Sequence, residues 1–303
     1  MYSIEFLKKL FKMKNWGIIT YLGMNLLLFM APFVISAIGS YESDYQVINL
    51  LLSMIFGISL YLVSISIALS PFGEWILRKL VGCNEIKRKD YIDRLRPLFH
   101  EVYGRAQIMD PTLSPDIKLY MNEDIEPNAF ATGRNTICLT RGLLNYSDEE
   151  IKAVFAHEFG HLHNKDTDAL LIITVGNLII SMSFLITRVM FTIAKYCVAI
   201  FSRRLGPLIL TFFMEIIFIG MFNLWTWIGT MLVLQSSRAH EFEADKFAFD
   251  LGYGYDLVEA LDHLSEYSGE RSKGLFATLM SSHPSTDLRI SKLQELGISY
   301  GRY

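Results

Sequence analysis

Four stretches of the chain carry no charged residue, and they limit its possible folds more than any other feature. Trp16–Ile38 and Val47–Leu69 have 23 residues each, and Ala169–Thr187 and Ile216–Gln235 have 19 and 20. A helix rises about 1.5 Å per residue, and about 20 residues cross the ~30 Å hydrocarbon layer of a bilayer. The four runs therefore predict four transmembrane helices in two hairpins. Pro32 predicts a kink in the first run, which membrane helices tolerate. The apolar core of that run exceeds the usual ~7–15 residues of a signal peptide, so a retained anchor is the expectation. For the third and fourth runs the competing reading is a pair of buried helices that are apolar all round.

Composition agrees with a membrane protein. Of the 303 residues 51% are apolar and 19% charged, where soluble domains carry about 25% charged residues. A net charge of −3 excludes the basic balance of a nucleic-acid binder; neither nucleic acid nor nucleotide is expected as a partner. Cys83, Cys138 and Cys197 are scattered and odd in number, which fits a reducing compartment and no disulfide framework.

Basic residues near the span ends set the orientation. Lys8, Lys9, Lys12 and Lys14 precede the first run, and Arg78, Lys79, Lys87, Arg88 and Lys89 follow the second. The loop between them has Glu42 and Asp44 and no basic residue. Both ends of this hairpin are expected in the cytoplasm. Arg203 and Arg204, between the third and fourth runs, fit that pattern poorly.

The polar segments suggest one domain assembled from two pieces. In the first piece the pattern predicts a helix near Tyr91–Ile108 and strands at Ile117–Met121, Asn128–Thr132 and Thr136–Thr140, with a hairpin turn at "GRN". "SDEE" then opens a helix, with Ser147 as N-cap and Glu150 closing a capping box. That helix carries "HEFGH". His157 and His161 are four apart and share one face, the spacing at which two imidazoles grip one zinc ion. Glu158 lies beside that face as a candidate general base, the His-Glu-x-x-His arrangement of metalloproteases. Two structural histidines would be the plainer reading, but the capped helix and adjacent glutamate weigh against it. His163 falls about 200° round the helix from His161, away from the metal, and reads as a polar helix-end residue.

A hydrolytic zinc site needs a third protein ligand. The helical stretch Ser236–Asp250 offers His240, Glu241 and Glu243, and periodicity does not choose among them.

Taken in order, "NAFATG" at 128–133, HEFGH at 157–161, "SRAHEFEAD" at 237–245 and "SHPSTDLRI" at 282–290 resemble the HtpX-type membrane zinc metalloproteases, a group related to the CAAX prenyl proteases. The resemblance covers essentially the whole chain. It implies Glu241 as third ligand and Asp245, one turn on, as a carboxylate that orients a ligand histidine. It also implies a catalytic domain in the cytoplasm that degrades damaged or misassembled membrane proteins, at a bacterial or archaeal plasma membrane.

The expected class is α+β: a mainly helical membrane protein with four transmembrane helices and a zincin-like cytoplasmic domain carrying a small β-sheet. Residues 1–15 form a basic cytoplasmic N-terminus and 16–70 the first hairpin. Residues 71–168 form the first catalytic part, 169–235 the second hairpin, and 236–303 the second catalytic part. The expected cofactor is one Zn²⁺ held by His157, His161 and Glu241, with Glu158 as base. His283, in an "HP" step, is the candidate for holding the developing oxyanion, and Arg289 the partner of Asp245. Asn128, Ala129, Phe130 and Ala131 are the candidate substrate strand, to which an unfolded chain adds by backbone hydrogen bonds. The expected partners are unfolded or membrane-protein substrates and the lipid bilayer. The rival functions are a narrow-substrate processing protease of the CAAX type and a silent membrane scaffold with structural zinc; the intact Glu158 argues against the scaffold.

Overall fold

The computed structural model describes residues 16–39, 46–202, 206–268 and 284–301. They form a mainly helical protein with one small mixed sheet. In chain order come α1 (Trp16–Gly39), α2 (Gln46–Ala68), α3 (Pro71–Leu80), β1 (Asn84–Glu85), α4 (Lys89–Met109), β2 (Lys118–Asn122), β3 (Ala129–Thr132) and β4 (Thr136–Thr140). A 3₁₀ turn at Arg141–Asn145 leads to α5 (Asp148–Asn164), α6 (Asp166–Ser202), α7 (Gly206–Asp250), α8 (Gly254–Ser268) and α9 (Thr286–Glu295). The predicted strands, the helix near Tyr91–Ile108 and the capped HEFGH helix appear within a few residues of their expected bounds.

Among the described residues, α2 alone is long and apolar enough to cross a membrane. The N-terminal helix α1 runs for 24 residues, Trp16–Gly39, with no charged side chain along it. The third and fourth runs are both helical, but each belongs to a longer helix of 37 or 45 residues that continues into the polar part of the chain. The expected boundaries at 168 and 235 are thus not breaks in the backbone. The Tyr61 hydroxyl of α2 donates to Leu22 O of α1 at 3.0 Å, supplying the partner that a polar group needs away from water.

The sheet order is β1-β2-β4-β3. β2 runs parallel to β4, while β3 and β4 form an antiparallel hairpin with Ala129 opposite Leu139 and Ala131 opposite Ile137. β3 is therefore an edge. Thr140 N donates to Asn128 O at 2.9 Å. Hydrogen-bonded and non-bonded pairs alternate in such a ladder, so the backbone groups of Ala129 and Ala131 face the open side.

The core gathers around α5. Phe99, Tyr103, Phe155 and Phe159 interlock there: Tyr103 stacks on Phe159 at 5.3 Å, and Phe99 meets Phe155 edge-on at 5.6 Å. The start of α5 is fixed by the expected capping box. Glu150 N donates to Ser147 Oγ at 3.3 Å, and Ser147 N donates to Glu150 Oε2 at 2.8 Å. Lys165 ends the helix in the left-handed region, at φ 61°. That residue turns the chain sharply from α5 into α6.

Candidate metal centre

Two helices build the site by close approach. At Gly160, inside HEFGH, a Cβ would lie 2.7 Å from Ala244 Cα and 3.0 Å from Ala244 O. Only glycine lets α7 come this near α5. Ala244 is three residues beyond Glu241, so this contact sets the depth at which Glu241 meets the histidines.

His157, His161 and Glu241 converge as a group able to hold a metal ion. His157 Nε2 and His161 Nε2 are 3.2 Å apart, and they lie 3.5 and 3.6 Å from the Glu241 oxygens. A tetrahedral ion with ligands at about 2.0–2.1 Å requires donors about 3.3 Å apart. The two imidazole nitrogens stand at that spacing, and each faces a different oxygen of Glu241. Of the three ligand candidates on this helix, Glu241 alone joins the group. His240 Nδ1 instead lies 3.4 Å from Asp166 Oδ1, and Glu243 is half-buried elsewhere on the helix.

Around these groups lies a second set of charges. Asp245 Oδ1 is 2.9 Å from His157 Nδ1, which leaves Nε2 aimed at the metal position. Arg289, delivered by α9, grips Asp245 with two bonds, Nε to Oδ2 at 2.8 Å and Nη2 to Oδ1 at 2.5 Å. Its Nη1 lies 3.1 Å from Glu241 Oε2. The Arg289–Asp245 pairing was expected; the further reach to Glu241 was not legible in the sequence. Burial and the Arg289 charge pull the His157 imidazole down, but the Asp245 and Glu241 carboxylates outweigh them and raise it to about 9. Burial pushes the Asp245 carboxyl up, yet Arg289 and His157 hold it down at about 2. For His161 burial again acts downward, and the Asp166 bond, with the nearby Glu241 and Glu158 charges, turns the shift upward.

Sequence reasoning missed Asp166. Its carboxylate touches His161 Nδ1 at 3.4 Å and His240 Nδ1 at 3.4 Å, so it orients one metal-facing ring and ties α6 to α7. The available signal was its place in the first turn of a helix, five residues after His161. His163 lies off the site as its helical phase predicts: Nδ1 is 2.6 Å from Asp110 Oδ2 and the ring stacks on Phe247 at 4.9 Å.

Glu158 is buried beside the cluster. Its Oε2 accepts from Ala131 N at 2.6 Å, which places the edge strand against the candidate base. Of the four strand candidates, Ala129 and Ala131 present backbone groups to the open side, while Asn128 and Phe130 turn theirs toward β4. His283 lies outside the described residues.

A family model for peptidase family M48 matches residues 93–297. This chain belongs to peptidase family M48. It is a metallopeptidase, and its substrates are proteins. Among curated relatives, the "Protease HtpX homolog" of Bacillus velezensis is 26% identical over 308 residues, covering 94% of this chain and 97% of that protein. "Protease HtpX" of Shewanella piezotolerans is 27% identical over 285 residues, covering 88% and 95%. The homolog from Aquifex aeolicus is 27% identical over 263 residues, covering 76% and 80%. Among solved structures, the crystal structure of S. mikatae Ste24p aligns with a TM-score of 0.47 at 21% identity, over 89% of this chain and 62% of that one. The HtpX-type resemblance drawn from four short motifs thus extends along nearly the whole sequence.

Proposed function

We propose that this family M48 peptidase is a zinc-dependent endopeptidase of the membrane, working at the cytoplasmic face on unfolded or damaged membrane proteins. The carrying observation is the convergence of His157, His161 and Glu241, with the two Nε2 atoms 3.2 Å apart and each facing a Glu241 oxygen at 3.5–3.6 Å, and with Glu158 and an open strand edge beside them. Two imidazoles and a carboxylate are a donor set suited to zinc. When bound, zinc supplies a water acidified toward a pKa of ~7 and Lewis-acid polarisation of the scissile carbonyl.

The remaining steps fall to the chain's own residues. Glu158 takes a proton from the attacking water and returns it to the leaving amine. Ala131 N–H holds one oxygen of that carboxylate and leaves the other to work. Asp245 accepts from His157 Nδ1–H, and Arg289 holds Asp245 in place. Ala129 and the Ala131 carbonyl pair with an extended substrate through backbone bonds that ignore side-chain identity. His283 stands two residues before the Ser285 cap of α9, the helix that brings Arg289 to the site. Its place in the chain supports an oxyanion-holding role.

The four apolar helices are assigned as two spanning hairpins, with the 71–168 and 236–303 segments on the cytoplasmic side. Supporting this, α6 and α7 hold Leu185, Ile186, Met190, Phe213, Ile216 and Trp227 outward, all exposed. The test is cleavage of casein and of a span-tethered unfolded protein by the purified full chain, with and without chelator. Chelator-sensitive cleavage restored by zinc supports the reading. Cleavage that persists without metal removes the zinc assignment. No preference for the tethered chain removes the membrane substrate class.

A further inference from the structure

The turn that joins β3 to β4, Gly133–Asn135, is held from two sides. On one side is Glu74, a buried carboxylate on α3, just after the first apolar hairpin. Its Oε1 accepts from the Arg134 backbone N–H. A Cβ on Gly133, whose φ is +61°, would lie 2.5 Å from Glu74 Cγ and Oε1. The glycine and the carboxylate therefore fit each other closely. Arg78, one turn along α3, bridges Glu74 Oε2 at 3.4 Å and Thr136 Oγ1 at 3.1 Å. On the other side is the start of α6, which opens the second apolar hairpin. Thr167 Oγ1 donates to Gly133 O at 2.5 Å, and Arg134 Nε donates to the fully buried Asp168 at 3.2 Å. Two residues back from this turn, Ala131 meets Glu158.

We propose that Glu74 and the Thr167–Asp168 pair are positioning residues that clamp the β3–β4 turn and so set how the substrate strand sits against the catalytic site. The two jaws stand at the ends of two different apolar hairpins, so the strand takes its place from both. The outer face of α3 fits a membrane-anchored jaw: Phe72 and Trp75 are exposed and stack on each other at 5.8 Å, and aromatic rings favour the bilayer interface. The inference rests on the reading of β3 as the strand that receives substrate.

The clamp sets β3, which receives substrate and also holds Glu158 through Ala131 N–H, so its loss raises KM, lowers kcat by a smaller factor and leaves zinc content unchanged. The full chain is purified with zinc, and an extended quenched peptide is its substrate. Glu74→Leu removes the acceptor for Arg134 N–H and is expected to raise KM about tenfold, the size of one lost charge-assisted bond. Glu74→Gln keeps an oxygen for that N–H and is expected to recover most of the loss. A KM unchanged in Glu74→Leu, or a kcat that falls together with zinc content, overturns the proposal. So does a glutamine variant as impaired as the leucine one. Should Glu74→Leu not fold, Thr167→Val decides: it removes only the hydroxyl bond to Gly133 O, and a KM equal to wild type overturns the clamp. A set of peptides N-methylated at successive positions separates this from the strand reading. If no methylated amide raises KM in wild type, β3 does not receive substrate. If one does and the clamp variants behave as wild type, β3 stands and the clamp falls.

Discussion

The HEFGH helix and the helix of the first apolar hairpin are built inside out with respect to each other. In α5 every residue from Glu150 to Gly160 is buried, including Lys152, His157 and Glu158. In α2 the large apolar side chains Val47, Leu51, Leu52, Ile55 and Phe56 face outward, while Gly57, Tyr61 and Ser64 are buried. One rule covers both helices: a polar group leaves water only where it finds a partner. In α5 those partners are a capping box, Asp245, Arg289 and the Ala131 N–H. In α2 the Tyr61 hydroxyl and the Ser64 hydroxyl bond to backbone carbonyls. The two helices differ in what surrounds them, and an apolar residue pointing outward on α2 is correctly placed when that surrounding is lipid.

The sharpest test of the contrast is Glu158→Gln. The amide fills the same space and can still accept from Ala131 N–H, but it cannot carry a proton. Peptide hydrolysis is expected to fall by about 10²–10⁴-fold with bound metal unchanged, read by turnover and metal analysis on one sample. Wild-type turnover would remove Glu158 from the chemistry. Next comes Glu241→Gln against Glu243→Gln. The first is expected to lose most of its metal and the second to keep it, because Glu241 alone meets the two histidines; the reverse order would mean that Glu243 is the ligand. Asp245→Asn has a smaller expected effect. It weakens the acceptor for His157 Nδ1–H and leaves Arg289 short of a counter-charge, and lost orienting partners typically cost about 10–100-fold in metal affinity. A competitive chelator titration measures it, and an unchanged affinity would show that His157 needs no such support. The smallest effect is expected on the other helix. Leu52→Ser on the outward face of α2 should leave detergent-phase peptidase activity within about twofold, as surface changes away from buried features do, while lowering the fraction recovered in membranes. A large loss of activity in detergent would mean that this face packs against protein.

Much of α5 was legible because its chemistry is local. The capping box, the two histidines four apart and the adjacent glutamate all lie within one helix, where spacing fixes geometry. The strands were legible for the same reason, through alternation and turn residues. What stayed hidden depends on contacts between distant segments. β2 lies parallel to β4 with β3 beyond it, an order that no hairpin signal predicts. Spacing alone did not choose among His240, Glu241 and Glu243; the family resemblance named Glu241, and the close approach of α7 at Gly160 is what brings it to the histidines. Asp166 and Glu74 each act through a partner that the fold brings from elsewhere. The turn chemistry of "SPFGE" does mark the start of a helix at Pro71, but nothing in it says that Glu74 will reach a backbone N–H sixty residues later.

Helix α7 runs unbroken for 45 residues, from an apolar stretch to Asp250. Each residue added to a helix turns the remainder of the rod by about 100° and advances it about 1.5 Å. One insertion anywhere between Trp227 and Glu241 would therefore swing the carboxylate out of the cluster or carry the outer rings to the wrong side. The register of this rod is locked to the chemistry at its far end. A change in length is tolerated near Gly206, where it leaves the phase of Glu241 against Trp227 untouched. Sequences that diverge from this one should accordingly vary in length before residue 206 and hold a constant count from there to the glutamate.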